Sequence, residues 1–291
     1  MPDIRDTYQF IWQERFYSMP YGRLHYVDEG NGTSLLFLHG NPTWSFMYRR
    51  FIQAFSDRHR CIAPDYLGFG LSDKPRTFHY RPEDHADIIS QFIHDKIRDS
   101  FTLIVHDWGG PVGLSYAAQH PEKIDGIIIF NSWMWSLASI PRFKLLSALH
   151  SGWLGRFLTR RLNLFVKYIL PVGFARYSRV SPDIRSAYRH PFQDPQSRAG
   201  VRAFPEALMG SDAWLRSLWD MRSNLSDIPA LILWGMQDRA FRIAQLEKWS
   251  QVFDTPVIHR LPDVGHYAPE ESGESAIDIM DKFIRRSNKG G

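Results

Sequence analysis

Phe101–Gly110 reads FTLIVHDWGG: an apolar strand run interrupted by His106, Asp107 and Trp108 and followed at once by two glycines. That is the pattern of a strand, a sharp turn and a helix presenting a nucleophile at the apex, with glycines permitting a strained backbone. The apex residue is Asp107. A serine attacking a saturated carbon would leave an unreactive ether, whereas a carboxylate leaves an ester that water can cleave. Asp107 therefore predicts substitution at an sp3 carbon, followed by hydrolysis of the enzyme's own side-chain ester.

Outward from this stretch, apolar runs alternate with helical patterns. The runs are LHYVD from Leu24, LLFLHG from Leu35, RCIAPD from Arg60, FTLIVHD, DGIIIFN from Asp125, ALILWG from Ala230 and VIHRLPD from Val257. Such spacing predicts a parallel α/β sheet with helices on both faces. Between Ser132 and Leu225 the strand pattern vanishes. Pro141, Pro171, Pro182, Pro191, Pro195 and Pro205 divide that interval into short helices, read as a cap inserted after the sixth strand. The expected division is a core of residues 1–131 and 226–291 and a helical cap of residues 132–225, with Gly290 and Gly291 as a frayed tail.

The 291 residues, 44% hydrophobic and 14% aromatic, suffice for one large core. No apolar run reaches the roughly 18 residues of a membrane span, and MPDIRDTYQF has no secretory h-region, so a cytoplasmic protein is expected. The single Cys61 sits at a strand end and reads as an inert core thiol. Net charge is +4, but it is uneven: residues 132–225 hold 14 Lys and Arg against 5 Asp and Glu, or +9, leaving 21 against 26, or −5, elsewhere. This is either a solvated helical surface or a contact with an anionic partner, a membrane surface or another subunit, leaving open a homo-oligomer through the basic cap. WLGRFLTRRLNLFVKYIL mixes aromatics with bases as an interfacial amphipathic helix does. No nucleic-acid-binding signature is present.

In open α/β sheets reactive groups gather at the carboxyl ends of strands. Asp107 follows FTLIVH, Asp238 follows LILWGMQ and His266 lies in DVGHYAPE, giving the chain order nucleophile, acid, base. His266 would deprotonate the water that attacks the Asp107 ester, and Asp238 would hold its tautomer and balance its charge. Taken singly, Asp238 reads equally as a helix cap and His266 as a turn residue. The loop HGNP, His39–Pro42, would offer a backbone N–H to an oxyanion, with Trp108 supplying the other. Asn41 and Trp108 also carry neutral side-chain N–H donors suited to a departing halide; the plainer alternatives are a turn cap for Asn41 and packing for Trp108.

With these pieces in place, the chain resembles a haloalkane dehalogenase of the α/β-hydrolase superfamily from about Tyr21 to the last helix, most strongly in HGNP, DYLGFGLSDKP, VHDWGG and GHYAPEE. The resemblance implies an α/β-hydrolase fold with a mostly parallel eight-stranded sheet, the nucleophile Asp107, base His266, acid Asp238 and halide ligands Asn41 and Trp108. It implies a small hydrophobic halogenated alkane as substrate, water as co-substrate, and no cofactor. In one branch of the family the acid follows the sixth strand; here Asn131 stands there and cannot act as a carboxylate, which favours Asp238.

Other features have plainer readings. Ser115, in GLSYA, lies within the helix after the turn, GFGLSD lacks the third glycine of a dinucleotide loop, and the twelve histidines include no HExxH, so no metal is expected. His106 reads as a hydrogen-bonding residue of the turn. The nearest rival, an epoxide hydrolase, needs an acid for the alkoxide, and Tyr168, Tyr177 and Tyr188 lie in the cap; the comparable enzymes, however, carry an aromatic residue at the Asn41 position. A non-catalytic receptor on the same fold is the alternative from another class. Candidate pocket residues are Trp133, Met134, Trp135, Phe143, Phe204, Leu208 and Phe241.

Overall fold

The computed structural model describes residues 12–176 and 180–287, so Tyr177, Gly290 and Gly291 lie outside the described residues. Strands β1 (Arg15–Met19), β2 (Gly22–Glu29), β3 (Ser34–Leu38), β4 (Arg60–Pro64), β5 (Phe101–Asp107), β6 (Ile124–Ser132), β7 (Ala230–Gly235) and β8 (Val257–Leu261) form one sheet. Their order is β1-β2-β4-β3-β5-β6-β7-β8, with β2 antiparallel to β1 and β4 and every other pair parallel. β1, RFYSM, is the strand without an apolar run: it is an exposed or half-buried edge, held by pairing with β2.

Helices α1 (Arg49–Phe55), α2 (Pro82–Lys96) and α3 (Gly109–Gln119) precede β6. Between β6 and β7 lie α4 (Pro141–Ser151), α5 (Trp153–Leu162), α6 (Pro182–Arg189), α7 (Ala199–Gly210) and α8 (Asp212–Asp220), and α9 (Ile243–Lys248) and α10 (Gly273–Ser287) complete the chain. Pro141 and Pro182 sit in the first turns of α4 and α6, where a missing N–H costs nothing. Pro205 differs from the expectation that it separates two helices. It lies inside α7, its fixed φ being compatible with a helix even though it removes one internal hydrogen bond.

The continuous apolar runs are explained by coverage of both faces. Ile104, Ile128, Phe130, Leu231 and Leu233 pack with Phe51, Ile52, Met280 and Ile284 of α1 and α10. The alternate residues Leu103, Val105, Ile127, Ile129 and Ile232 pack with Ile89, Phe92 and Val112 of α2 and α3. The chain turns from β3 to β4 on one side and then crosses to β5 on the other, so the loops leaving β3 and β5 diverge at their carboxyl ends and open a crevice there.

Candidate active site

β5 ends in that crevice. Asp107 adopts φ 50°, a left-handed conformation that a non-glycine residue takes only where its surroundings impose it. Here the surroundings are tight: a Cβ on Gly109 would stand 2.1 Å from the Leu38 carbonyl oxygen, and one on Gly40 would stand 2.4 Å from the Asp107 Cβ. These glycines let the β3 loop and the turn close on each other, and Ser132 Oγ–H ties down the Asp107 carbonyl at 2.6 Å.

The two carboxylate oxygens of Asp107 have different neighbours. Oδ1 accepts the Asn41 backbone N–H at 2.9 Å, while Oδ2 faces His266 Nε2 at 3.4 Å. Of the two backbone donors anticipated for an oxyanion, the one on the β3 loop is thus in place on Asp107 itself. His39 shapes that loop: its buried ring accepts the Tyr66 N–H at Nε2 and contacts the Gly40 carbonyl through Nδ1. Burial lowers its pKa and keeps it neutral.

His266 Nδ1–H donates to Asp238 Oδ2 at 2.8 Å. Burial alone would lower the imidazole pKa, but Asp238 and Asp107 on either side outweigh it and raise it to about 10. Burial likewise raises the Asp107 pKa, yet the hydrogen bond and charge of His266 leave it below the usual range. The backbone of His266 is clamped from both directions, its N–H donating to the Gly173 carbonyl at 2.7 Å and its carbonyl accepting from His106 Nε2 at 2.8 Å. His106, expected as a hydrogen-bonding residue of the turn, therefore bolts the turn to the base loop.

Asp238 is fully engaged. Oδ1 accepts the Ala240 and Phe241 N–H groups at 2.7 and 3.0 Å, so the capping role and the pairing with His266 coexist. Oδ2 accepts from Asn131 Nδ2 at 2.9 Å as well as from His266. Asn131, itself at φ 23°, accepts the Gly235 N–H at 2.7 Å and so spans β6 and β7. No local pattern in the sequence marks this positioning contact; its one signal is the amide of Asn131 at the end of β6.

A cavity of about 320 Å³ lies over Asp107, bounded by Asn41, Trp108, Trp133, Phe143, Phe165 and Phe241 among others. Of the anticipated pocket residues, Trp133, Phe143, Leu208 and Phe241 border it. Met134, Trp135 and Phe204 do not: Trp135 packs edge-on against Trp219 and Trp249, and Phe204 stacks on His85. Leu146, Ile169, Val172 and Tyr267 border it without having been anticipated, because only the folded helices bring them over the strand ends. Asn41 Nδ2 donates to the Val201 carbonyl at 3.3 Å, and no protein hydrogen bond among the described residues takes the Trp108 indole N–H. Of the described tyrosines between β6 and β7, Tyr168 is exposed and Tyr188 donates to Glu270 at 2.7 Å, and neither borders the cavity.

Residues 33–272 match the family model for the alpha/beta hydrolase fold. The chain is 34% identical to haloalkane dehalogenase 2 of Mycobacterium tuberculosis over 96% of its own length and 97% of that protein's. It is 33% identical to a cis-3-alkyl-4-alkyloxetan-2-one decarboxylase of Shewanella oneidensis, over 94% of this chain and 88% of that one. The crystal structure of a haloalkane dehalogenase from Bradyrhizobium elkani shares the fold, with a TM-score of 0.86 at 23% identity, covering 96% of this chain and 99% of that one.

Proposed function

Because the chain belongs to the haloalkane dehalogenases of the α/β-hydrolase fold, we propose that it converts a small haloalkane and water to an alcohol, a halide ion and a proton. Asp107 Oδ2 attacks the halogen-bearing carbon from the side opposite the leaving group, forming a carbon–oxygen bond as the carbon–halogen bond breaks. The halide departs toward the N–H donors of Asn41 and Trp108, which solvate charge without neutralising the nucleophile beforehand. In the resulting ester Asp107 has lost its charge. His266 then keeps only Asp238 as counter-charge, so its pKa falls and Nε2 can accept a proton from water attacking the ester carbonyl. The oxyanion forms against the Asn41 N–H, and its collapse releases the alcohol and restores Asp107. We read residues 132–225 as the cap that closes the cavity.

The observation that carries this reading is the asymmetry at Asp107. One oxygen is held by the Asn41 N–H and the other turns toward His266, beside an apolar cavity bordered by Asn41 and Trp108.

A second reading rests on the relatives of nearly equal identity that are named oxetan-2-one decarboxylases. Attack of Asp107 on the saturated ring carbon would open a β-lactone to a carboxylate. Loss of CO2 would then form the alkene and expel Asp107, with no water consumed and no proton for His266 to accept. Supplying a bromoalkane, an oxetan-2-one, styrene oxide and an aryl ester in parallel, with halide, CO2 and acid release recorded, separates these activities. Halide release supports dehalogenation, CO2 release supports the second reading, and no product from any substrate would leave a non-catalytic receptor.

A further inference from the structure

Between Gly126 and Pro182 the sequence has no Asp or Glu and eight Lys or Arg. Eight of the twelve large hydrophobic residues exposed among the described residues also fall in this part of the chain, between Leu145 and Val172. α4 shows Leu145 and Leu149, α5 shows Trp153 and Phe157, and the π-helical stretch Phe165–Ile169 shows Tyr168. Spacing of four residues puts each helical pair on one side of its helix, and Trp153 is 79% exposed. An ordinary solvated helix does the reverse, keeping apolar residues inward. Four cations of this region, Lys144, Arg160, Arg161 and Lys167, have no carboxylate partner among the described residues. Arg160 and Arg161 also line a basic groove of about 770 Å³, shared with Lys74 and Arg76, along the flank of α5.

We propose that this face docks on an anionic lipid surface, with Trp153, Phe157 and their apolar neighbours at the headgroup boundary and the unpaired cations on lipid phosphates. The charge pattern selects this occupant. A second copy meeting this face through its own would set unpaired arginines against arginines, whereas a phospholipid surface offers hydrocarbon and anionic phosphate side by side. The face is also continuous with the active-site cavity: Leu146 and Ile169, which directly follow the exposed Leu145 and Tyr168, border the cavity, and so does Val172, itself exposed. Docking would turn the cavity mouth toward the lipid, so that a bilayer-dissolved substrate enters without crossing water. That entry step rests on the proposed reaction; the docking itself does not. No described helix is long and apolar enough to cross a membrane, so attachment would be peripheral.

The test is flotation of the full chain with vesicles of phosphatidylcholine alone or mixed equally with phosphatidylglycerol. The expected result is partitioning to the mixed vesicles that weakens with added salt, since exposed charges are screened. Arg160→Glu with Arg161→Glu should weaken it by at least about twentyfold, at about fivefold per cation lost near an anionic surface. Trp153→Ser with Phe157→Ser should weaken it at every salt concentration. Both pairs are exposed, and circular dichroism with turnover of a water-soluble substrate checks their fold separately. Absence of partitioning to the mixed vesicles, or equal partitioning by the charge-reversed protein, would overturn the proposal. So would a concentration-dependent increase in mass that Trp153→Ser with Phe157→Ser abolishes while no vesicle binding occurs, which would make the face a contact between copies.

Discussion

The side-chain amide of Asn41 reaches the carbonyl of Val201 because Pro205 leaves that carbonyl free. In an unbroken helix the Val201 oxygen would accept the N–H of residue 205, but proline has none, and Asn41 Nδ2 occupies the place at 3.3 Å. One hydrogen of the Asn41 amide is thereby anchored to α7 and the other is left for the cavity. The packing of α7 over the strand ends sets the direction of a proposed halide donor.

Pro205→Ala should give Val201 its helical partner and release Asn41. The expected outcome is a severalfold slower alkylation step and weaker inhibition by added bromide, with thermal stability equal to or above that of the parent. Rapid-quench measurement of halide release tests this, and unchanged bromide inhibition would detach Pro205 from the halide site.

Asn41→Ala should slow alkylation roughly a hundredfold, as the loss of one donor aimed at developing charge costs about 3 kcal/mol. Trp108→Phe should do comparable damage. Iodide and bromide substrates should react faster than chloride, and fluoride should be inert. Halide-release rates for the series check this, and an Asn41→Ala enzyme that debrominates at the parental rate would refute the halide role.

His266→Phe should permit alkylation and block hydrolysis, because attack by the carboxylate needs no proton transfer whereas attack by water does. Incubation with a bromoalkane should add the alkyl mass to Asp107, detectable by intact-mass and peptide spectrometry. Steady turnover without an adduct would eliminate the ester mechanism.

Asp238→Asn should slow ester hydrolysis by roughly three to four orders of magnitude, since the imidazolium loses its remaining counter-charge and its tautomer is no longer enforced. Asn131→Ala removes one of four donors to Asp238 and should cost far less, while shifting the pH profile of the hydrolytic step. Single-turnover decay of the ester across pH distinguishes the two; parental hydrolysis in Asp238→Asn would move the acid elsewhere.

Asp65 should govern the acid limb of stability. Burial would raise its pKa, but the charge and hydrogen bond of His25, at 2.8 Å, and the backbone N–H of Ser45, at 2.7 Å, bring it from 3.8 to about 2. A carboxylate with a depressed folded pKa stabilises the fold above its unfolded pKa, and the contribution, about 2 kcal/mol, is lost as pH falls through 2. Urea unfolding of Asp65→Asn should therefore show a flatter dependence between pH 4 and 2 than the parent, and an unchanged slope would remove Asp65 from this role.

Local sequence was sufficient for the elements whose chemistry is local. FTLIVHDWGG announced a buried strand, a strained apex and a helix, because both-face burial demands an unbroken apolar run and the tight turn demands glycine. The convergence of HGNP, Asp238 and His266 on Asp107 is legible because residues just beyond the ends of parallel strands face one crevice. β1 escaped notice, since an edge strand without a buried face carries no apolar run. The pairing of Asn131 with Asp238, the clamping of His266 by His106 and Gly173, and the capture of Asn41 by the carbonyl that Pro205 frees were decided only in three dimensions. Each joins groups more than a hundred residues apart, except His266 with Gly173, which is slightly nearer in the chain, and no sequence periodicity encodes such distances. The same holds for the cavity wall: an aromatic residue between β6 and β7 faces the core or the cavity according to how the helices dock, so Trp133 and Trp135, two positions apart, end in different surroundings.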